Sequence, residues 1–115
     1  MREGEKMIQE ITNTDFNTEV LESKFPVIAD FYADWCAPCR MLSYLVEDLA
    51  YDYRDRLKVV KINIDSSEAI AAEYNIMSVP TLVLFVNGKE TKKIVGFHTK
   101  EQIKALFNIE EGLIL

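Results

Sequence analysis

The period of the apolar positions changes several times along the chain, and each change marks a predicted element. Met7 to Thr12, MIQEIT, alternates weakly and predicts a short strand, after which Thr14 or Asp15 is placed to cap a helical segment carrying Phe16, Val20 and Leu21. Val27 to Ala33, VIADFYA, is apolar on both faces except at Asp30, the pattern of a central parallel strand covered by helices on either side. Met41, Leu42, Leu45, Val46, Leu49 and Ala50 then recur at helical spacing with Arg40, Glu47, Asp48 and Asp52 largely opposite, which predicts a long amphipathic helix. Leu57 to Ile64, LKVVKINI, is rich in β-branched residues and predicts another strand. Asp65 and Glu68 have the spacing of a capping box for a short helix through Tyr74.

The last third changes character. Two extended runs, Thr81 to Val86 and Glu90 to Val95, meet across Asn87-Gly88, the strongest short-range hairpin signal, so these strands are expected to be antiparallel. Thr99 and Gln102 form a Thr-x-x-Gln box opening a final helix with Ile103, Leu106 and Phe107 on one face. The order is βαβαβα followed by ββα. Alternation implies right-handed parallel crossovers and the hairpin adds antiparallel strands, so the economical architecture is α/β, one mixed sheet with helices on both faces. With 115 residues and no repeat, linker or low-complexity tract, residues 1–115 are expected to form a single domain. Residues 1–6 are expected to fray, and the apolar tail Gly112 to Leu115 either to pack on the body or to meet a partner.

Composition narrows the function. A chain that is 49% hydrophobic and 28% charged matches a soluble globular protein, which argues against disorder and against a small disulfide-stapled scaffold. Thirteen Lys and Arg against 19 Asp and Glu give a net charge of −6, a field that repels nucleic-acid backbones and anionic membrane surfaces. The longest apolar run, Leu82 to Val86, falls far short of the roughly 20 residues that span a bilayer. The opening MREGEKMIQE lacks the apolar core of a secretory signal, so a cytoplasmic location is expected.

The only two cysteines are Cys36 and Cys39. Cysteines spaced C-x-x-C can close a disulfide without large backbone movement, and a first cysteine where a strand gives way to a helix has its thiolate favoured by the helix N-terminus. That makes Cys36 the candidate nucleophile and Cys39, one turn along, the resolving thiol. Pro38 suits a first helical turn, where its missing N–H has no intrahelical acceptor to lose. Asp30 stands in an otherwise apolar strand, where desolvation raises a carboxyl pKa towards neutrality unless the group is paired; the competing reading is a hydrogen-bonded structural aspartate. Rival chemistries lack parts. Structural zinc takes four ligands and the chain offers Cys36, Cys39 and His98 at most; haem attachment needs a histidine directly after Cys39, where Arg40 stands; an iron–sulfur cluster lacks ligands. A cysteine hydrolase with His98 as base would have Cys39 competing beside its nucleophile.

Ala33-Asp34-Trp35-Cys36-Ala37-Pro38-Cys39-Arg40 resembles the active-site segment of thioredoxins, whose usual form is Trp-Cys-Gly-Pro-Cys. The resemblance continues, in family order, through Asp30-Phe31-Tyr32, Lys61-Ile62-Asn63-Ile64-Asp65, Ser78-Val79-Pro80-Thr81, Asn87-Gly88 and Val95-Gly96, and covers Met7 to Phe107. It implies the thioredoxin fold, a mixed five-stranded sheet flanked by four helices, and a thiol–disulfide oxidoreductase reducing protein disulfides through a mixed disulfide on Cys36 that Cys39 resolves. It further implies that Asp30 transfers a proton for Cys39 with Lys61 as its charge partner, although a solvated strand lysine is an equal reading of Lys61. It implies a cis Val79–Pro80 bond facing the cysteines, where the sequence alone favours trans. Trp35, Pro38, Val79, Pro80 and Gly96 are the implied substrate surface, an extended peptide pairing with the Val79 main chain. Trp35 is expected as an exposed platform, a packed loop tryptophan being the rival. The Cys36–Cys39 disulfide is the only redox group implied, with no metal or organic cofactor. A flavin-dependent thioredoxin reductase is the implied electron donor to a monomeric carrier in electron transport and cell redox homeostasis.

The chain departs from the family pattern in carrying Ala37 for the usual glycine, Tyr44 for a helix-kinking proline and Tyr32 for a common tryptophan. Two other functions compete: a thioredoxin-fold binding or structural module with incidental cysteines, and a periplasmic oxidant. The Trp-Cys-x-Pro-Cys segment together with Asp30 and Pro80 counts against the first. The acidic strand residue and the missing signal count against the second.

Overall fold

Val27–Tyr32 forms a strand with no exposed side chain, and the sheet is built outward from it. The computed structural model describes residues 8–109. In chain order the strands are β1 (Ile8–Ile11), β2 (Val27–Tyr32), β3 (Lys58–Asn63), β4 (Thr81–Val86) and β5 (Lys89–Val95), and the helices are a one-turn π-helix (Asn17–Leu21), α1 (Ala37–Asp52), α2 (Glu68–Glu73) and α3 (Lys100–Phe107). The strands lie in the order β1-β3-β2-β4-β5. β1, β3 and β2 are parallel, whereas β4 runs antiparallel to β2 and to β5. This is the five-stranded mixed sheet with four helices that the sequence predicts.

Strand alternation divides the core in two. Ile28, Val59, Leu82 and Leu84 project to one face, which α1 covers with Leu42, Val46 and Leu49 and α3 with Ile103 and Phe107. Val27, Ala29, Phe31, Val60, Ile62, Val83 and Phe85 project to the other, covered by Phe16, by Val20 of the π-helix and by Ile70 of α2. There Phe16, Tyr74 and Phe85 close an aromatic triangle with ring centres 5.1 to 5.8 Å apart. Among the described residues no helix is long and apolar enough to cross a membrane.

Two predicted caps do not form: neither Thr14 nor Asp15 caps the first helical turn, and the carboxylates of Asp15 and Asp65 are engaged elsewhere. The Asp15 carboxylate accepts the Thr12 N–H at 2.8 Å, ahead of the helix; Phe16 then occupies the cap position without a side-chain bond, and the turn closes through Glu22 N–H to the Asn17 carbonyl at 2.9 Å. Asp65 accepts the Trp35 indole N–H, while Asn63 Oδ1 takes the N–H groups of Asp65 and Ser66. α2 therefore starts after Ser67, whose buried hydroxyl has no partner among the described residues. The box on α3 forms in full, with Thr99 Oγ1 accepting from Gln102 N–H and Gln102 Oε1 from Thr99 N–H. Met41 and Leu106, expected on buried faces, are 60% and 47% exposed, because each apolar stripe is one position narrower than the sequence suggests. Tyr44 is exposed, and α1 runs unbroken past it. The expectations for residues 1–6 and 112–115 fall outside the described residues.

At the hairpin, Asn87 (φ 53°) and Gly88 (φ 79°) take the two left-handed conformations that the turn demands. Gly88 also faces the chain: a Cβ there would lie 2.6 Å from the Leu21 carbonyl oxygen, whereas one at Gly96 (φ 91°) would meet nothing within 4 Å. Gly88→Ala is expected to lower stability by about 3 kcal/mol, conformational cost plus backbone clash, and Gly96→Ala by about 1 to 2 kcal/mol, conformational cost alone. Urea denaturation of both variants checks the order; equal losses would mean that Leu21 yields freely.

Candidate active site

β2 ends at Tyr32, and after four intervening residues the chain is helical. Cys36 sits between, as the cap of α1 in extended conformation (φ −99°, ψ 108°), and its sulfur accepts the Cys39 N–H at 3.2 Å. One of the free N–H groups that open a helix is thus aimed at this sulfur, which favours negative charge there. Cys36 and Cys39 are joined in a disulfide with their Cα atoms 5.2 Å apart. Pro38 lies in the first turn, as its chemistry predicts. Ala37 is exposed and helical, a conformation that needs no glycine.

Both cysteines are buried with Ala33, and Tyr32, Ile64 and Val79 pack against them. Val79 is followed by a cis bond to Pro80, as the family resemblance implies. The Pro80 carbonyl accepts the Gly96 N–H at 2.8 Å, so Gly96 is tied to the same loop. Trp35 is 69% exposed with its indole N–H on Asp65 Oδ2 at 3.1 Å, a platform held by its polar edge. Met77 and Phe97, chain neighbours of the Ser78-Val79-Pro80 and Gly96 segments, are also exposed. No sequence pattern marks them, since single apolar loop residues carry no period; only adjacency to Pro80 and Gly96 hints at them.

Asp30 is fully buried on the sheet face covered by α1, alternating with Ile28, and neither carboxylate oxygen has a hydrogen-bond partner among the described residues. Burial pushes its carboxyl up from 3.8 to about 7, against the lowering field of Lys61 and with a smaller raising contribution from Glu10. Lys61 is its register neighbour on β3, but its ammonium turns to Ser43 Oγ at 3.0 Å and lies 4.3 Å from the Tyr32 ring centre. Its side chain is half-buried, and its field opposes the rise of the Asp30 carboxyl. His98 is half-buried, with Nδ1 3.1 Å from the Gly96 carbonyl oxygen. Among the described residues no three His, Cys, Asp or Glu side chains are grouped to hold a metal.

Comparison with known proteins matches residues 7–108 to the Thioredoxin family model. A Thioredoxin of Griffithsia pacifica is 47% identical over 89 residues, covering 77% of this chain and 82% of its own. One of Rickettsia bellii is 42% identical over 97 residues, 84% of this chain and 92% of its own, and one of Pyropia yezoensis 41% identical over 101 residues, 88% and 94%.

Asp30 has a consequence for stability. Its folded pKa lies above its unfolded value, so between about pH 4 and pH 7 the folded state holds the extra proton, and stability falls as pH rises through that interval, by about 4 kcal/mol at most. Asp30→Ala removes this slope, so its stability relative to the parent is expected to rise between pH 4 and pH 8. Urea denaturation across that range checks it; curves that stay parallel would show a carboxylate already ionised at pH 4.

Proposed function

This chain belongs to the thioredoxin family and is a thiol–disulfide oxidoreductase of protein disulfides, and we propose that Cys36 is its attacking thiolate and Cys39 its resolving thiol. The observation that carries the assignment is the Cys39 N–H directed at the Cys36 sulfur at the start of α1. The Cys36 thiolate attacks one sulfur of the substrate disulfide; the other leaves as a thiolate and takes up a proton. Cys39 then gives its proton to the Asp30 carboxylate and attacks the Cys36 sulfur of the mixed disulfide. The substrate's second sulfur departs as a thiolate and is protonated in turn. Two electrons pass to the substrate, and the Cys36–Cys39 disulfide of this structure is the oxidised product. A carboxyl poised at about 7 is matched to proton exchange at neutral pH.

The substrate surface of this reading is Trp35, Pro38, Val79, Pro80 and Gly96, shallow and partly apolar, with an extended peptide pairing along the Val79 main chain. The Val79 contact with the cysteines and the Gly96–Pro80 hydrogen bond support it. Lys61 tunes the charge of Asp30. The dithiol supplies the redox chemistry without a metal or organic cofactor. We further propose that residues 1–115 act as one monomeric domain, recharged by a flavin-dependent thioredoxin reductase. The cytoplasm, where thiols are kept reduced, is the compartment that suits such a carrier in electron transport and redox homeostasis.

Cys36→Ser is expected to abolish reduction of insulin, and Cys39→Ser to accumulate protein–substrate mixed disulfides, read by non-reducing gel and mass spectrometry. Insulin reduction by Cys36→Ser at the parent rate would defeat the assignment.

A further inference from the structure

Strand register places three charged residues in one row across the sheet. Glu10 of β1 is opposite Lys61 of β3, and Lys61 is opposite Asp30 of β2. Register partners project from the same face, here the one under α1, and two strand spacings of about 4.8 Å separate the outer pair. One lysine therefore stands between two acidic residues in the row. Glu10, Ser43, Glu47, Lys61 and Ile8 line a cleft of about 250 Å³ beside the row. The titratable and charged groups on this face are Glu10 of β1, Tyr32 of β2, Lys61 of β3 and Cys39 and Glu47 of α1; β4 presents Leu82 opposite Asp30.

A second set of contacts joins the same groups. The Tyr32 hydroxyl donates to Glu10 Oε2 at 2.6 Å, and the face of the Tyr32 ring carries the Lys61 ammonium at 4.3 Å from its centre. Burial, followed by the Glu10 hydrogen bond, pushes the Tyr32 phenol up, which keeps it a donor. Glu10 thus anchors the ring on which Lys61 rests, while Ser43 takes the ammonium from above. Asp30 is left without a hydrogen bond among the described residues.

We propose that Glu10 is a positioning residue for the dithiol chemistry: through Tyr32 it holds Lys61 away from Asp30, and it places a second carboxylate in the row that Asp30 occupies. The effect on turnover rests on the reading of Asp30 as the proton acceptor for Cys39; the effect on Asp30 itself does not. Glu10 is exposed, so its variants are expected to fold.

The test is the titration of the Asp30 side-chain carboxyl carbon by NMR in the reduced protein, for the parent, Glu10→Gln and Glu10→Lys. Gln keeps an acceptor for Tyr32 and removes the charge; Lys reverses it. The proton affinity of Asp30 is expected to fall about two- to twenty-fold in Gln and further in Lys, the range for one unit charge across two strands between water-like and protein-surface screening. Identical midpoints in all three proteins, or equal shifts in Gln and Lys, would overturn the proposal. The pH profile of mixed-disulfide resolution by the same proteins separates the two ideas. A profile that follows the Asp30 midpoint supports both. If Asp30 moves and the profile does not, the action of Glu10 on Asp30 stands and proton transfer to Asp30 falls.

Discussion

β2 is enclosed by helices on both faces and by strands on both edges, and the chemistry of the molecule follows from where that strand runs and where it stops. A strand so enclosed must be apolar, so the one carboxyl it carries, Asp30, is stripped of water without any partner among the described residues replacing it. The same strand ends at Tyr32, and the chain that leaves it enters α1 after four intervening residues. Cys36 is the residue at that junction. Burial of the strand therefore fixes both a reluctant acid and a thiol at a helix start, and packing of Leu42, Val46 and Leu49 on Ile28 and Val59 holds the helix that joins them.

The two groups are tuned in opposite directions by effects of different size. A helix N-terminus stabilises a nearby negative charge by about 0.3 to 1 kcal/mol, rising towards 2 kcal/mol in partly buried geometry, and a directed N–H adds to this at the Cys36 sulfur. Desolvation of Asp30 is the stronger influence, since it wins against the field of a lysine on the neighbouring strand. That lysine is restrained from forming an ion pair by Ser43 and the Tyr32 ring. A direct bond would pull the carboxyl back to its ordinary range and leave it ionised at neutral pH, with little affinity for a proton. Contacts of its own, to Ser43 and to the Tyr32 ring, thus keep the Lys61 ammonium off the buried carboxyl.

What could be read from the chain before its structure follows a physical rule. Signals that act within a few residues came through: the unbroken apolar run of β2, the Asn87-Gly88 turn, the Thr99–Gln102 box and the C-x-x-C pair. Expectations failed where a side chain had a competing partner. Asp15 looked like a cap and bonded Thr12 instead; Asp65 looked like a cap and took the indole of Trp35, thirty positions back in the chain. The raised carboxyl of Asp30 was legible because burial of a charge in an apolar strand needs no knowledge of partners. Glu10, Ser43 and the orientation of Lys61 were not, because they meet only through the register of β1 on β3 and the placement of α1 over both. The cis bond at Pro80 was legible only through likeness to a family.

The central claim is that the start of α1 divides two chemically identical thiols into an attacking and a resolving partner. The direct measurement is reaction of the fully reduced protein with less than one equivalent of iodoacetamide at pH 7, with the modified cysteine located by peptide mass spectrometry. Label on Cys36, with Cys39 spared, is the result this account predicts. Equal labelling, or preference for Cys39, would contradict it.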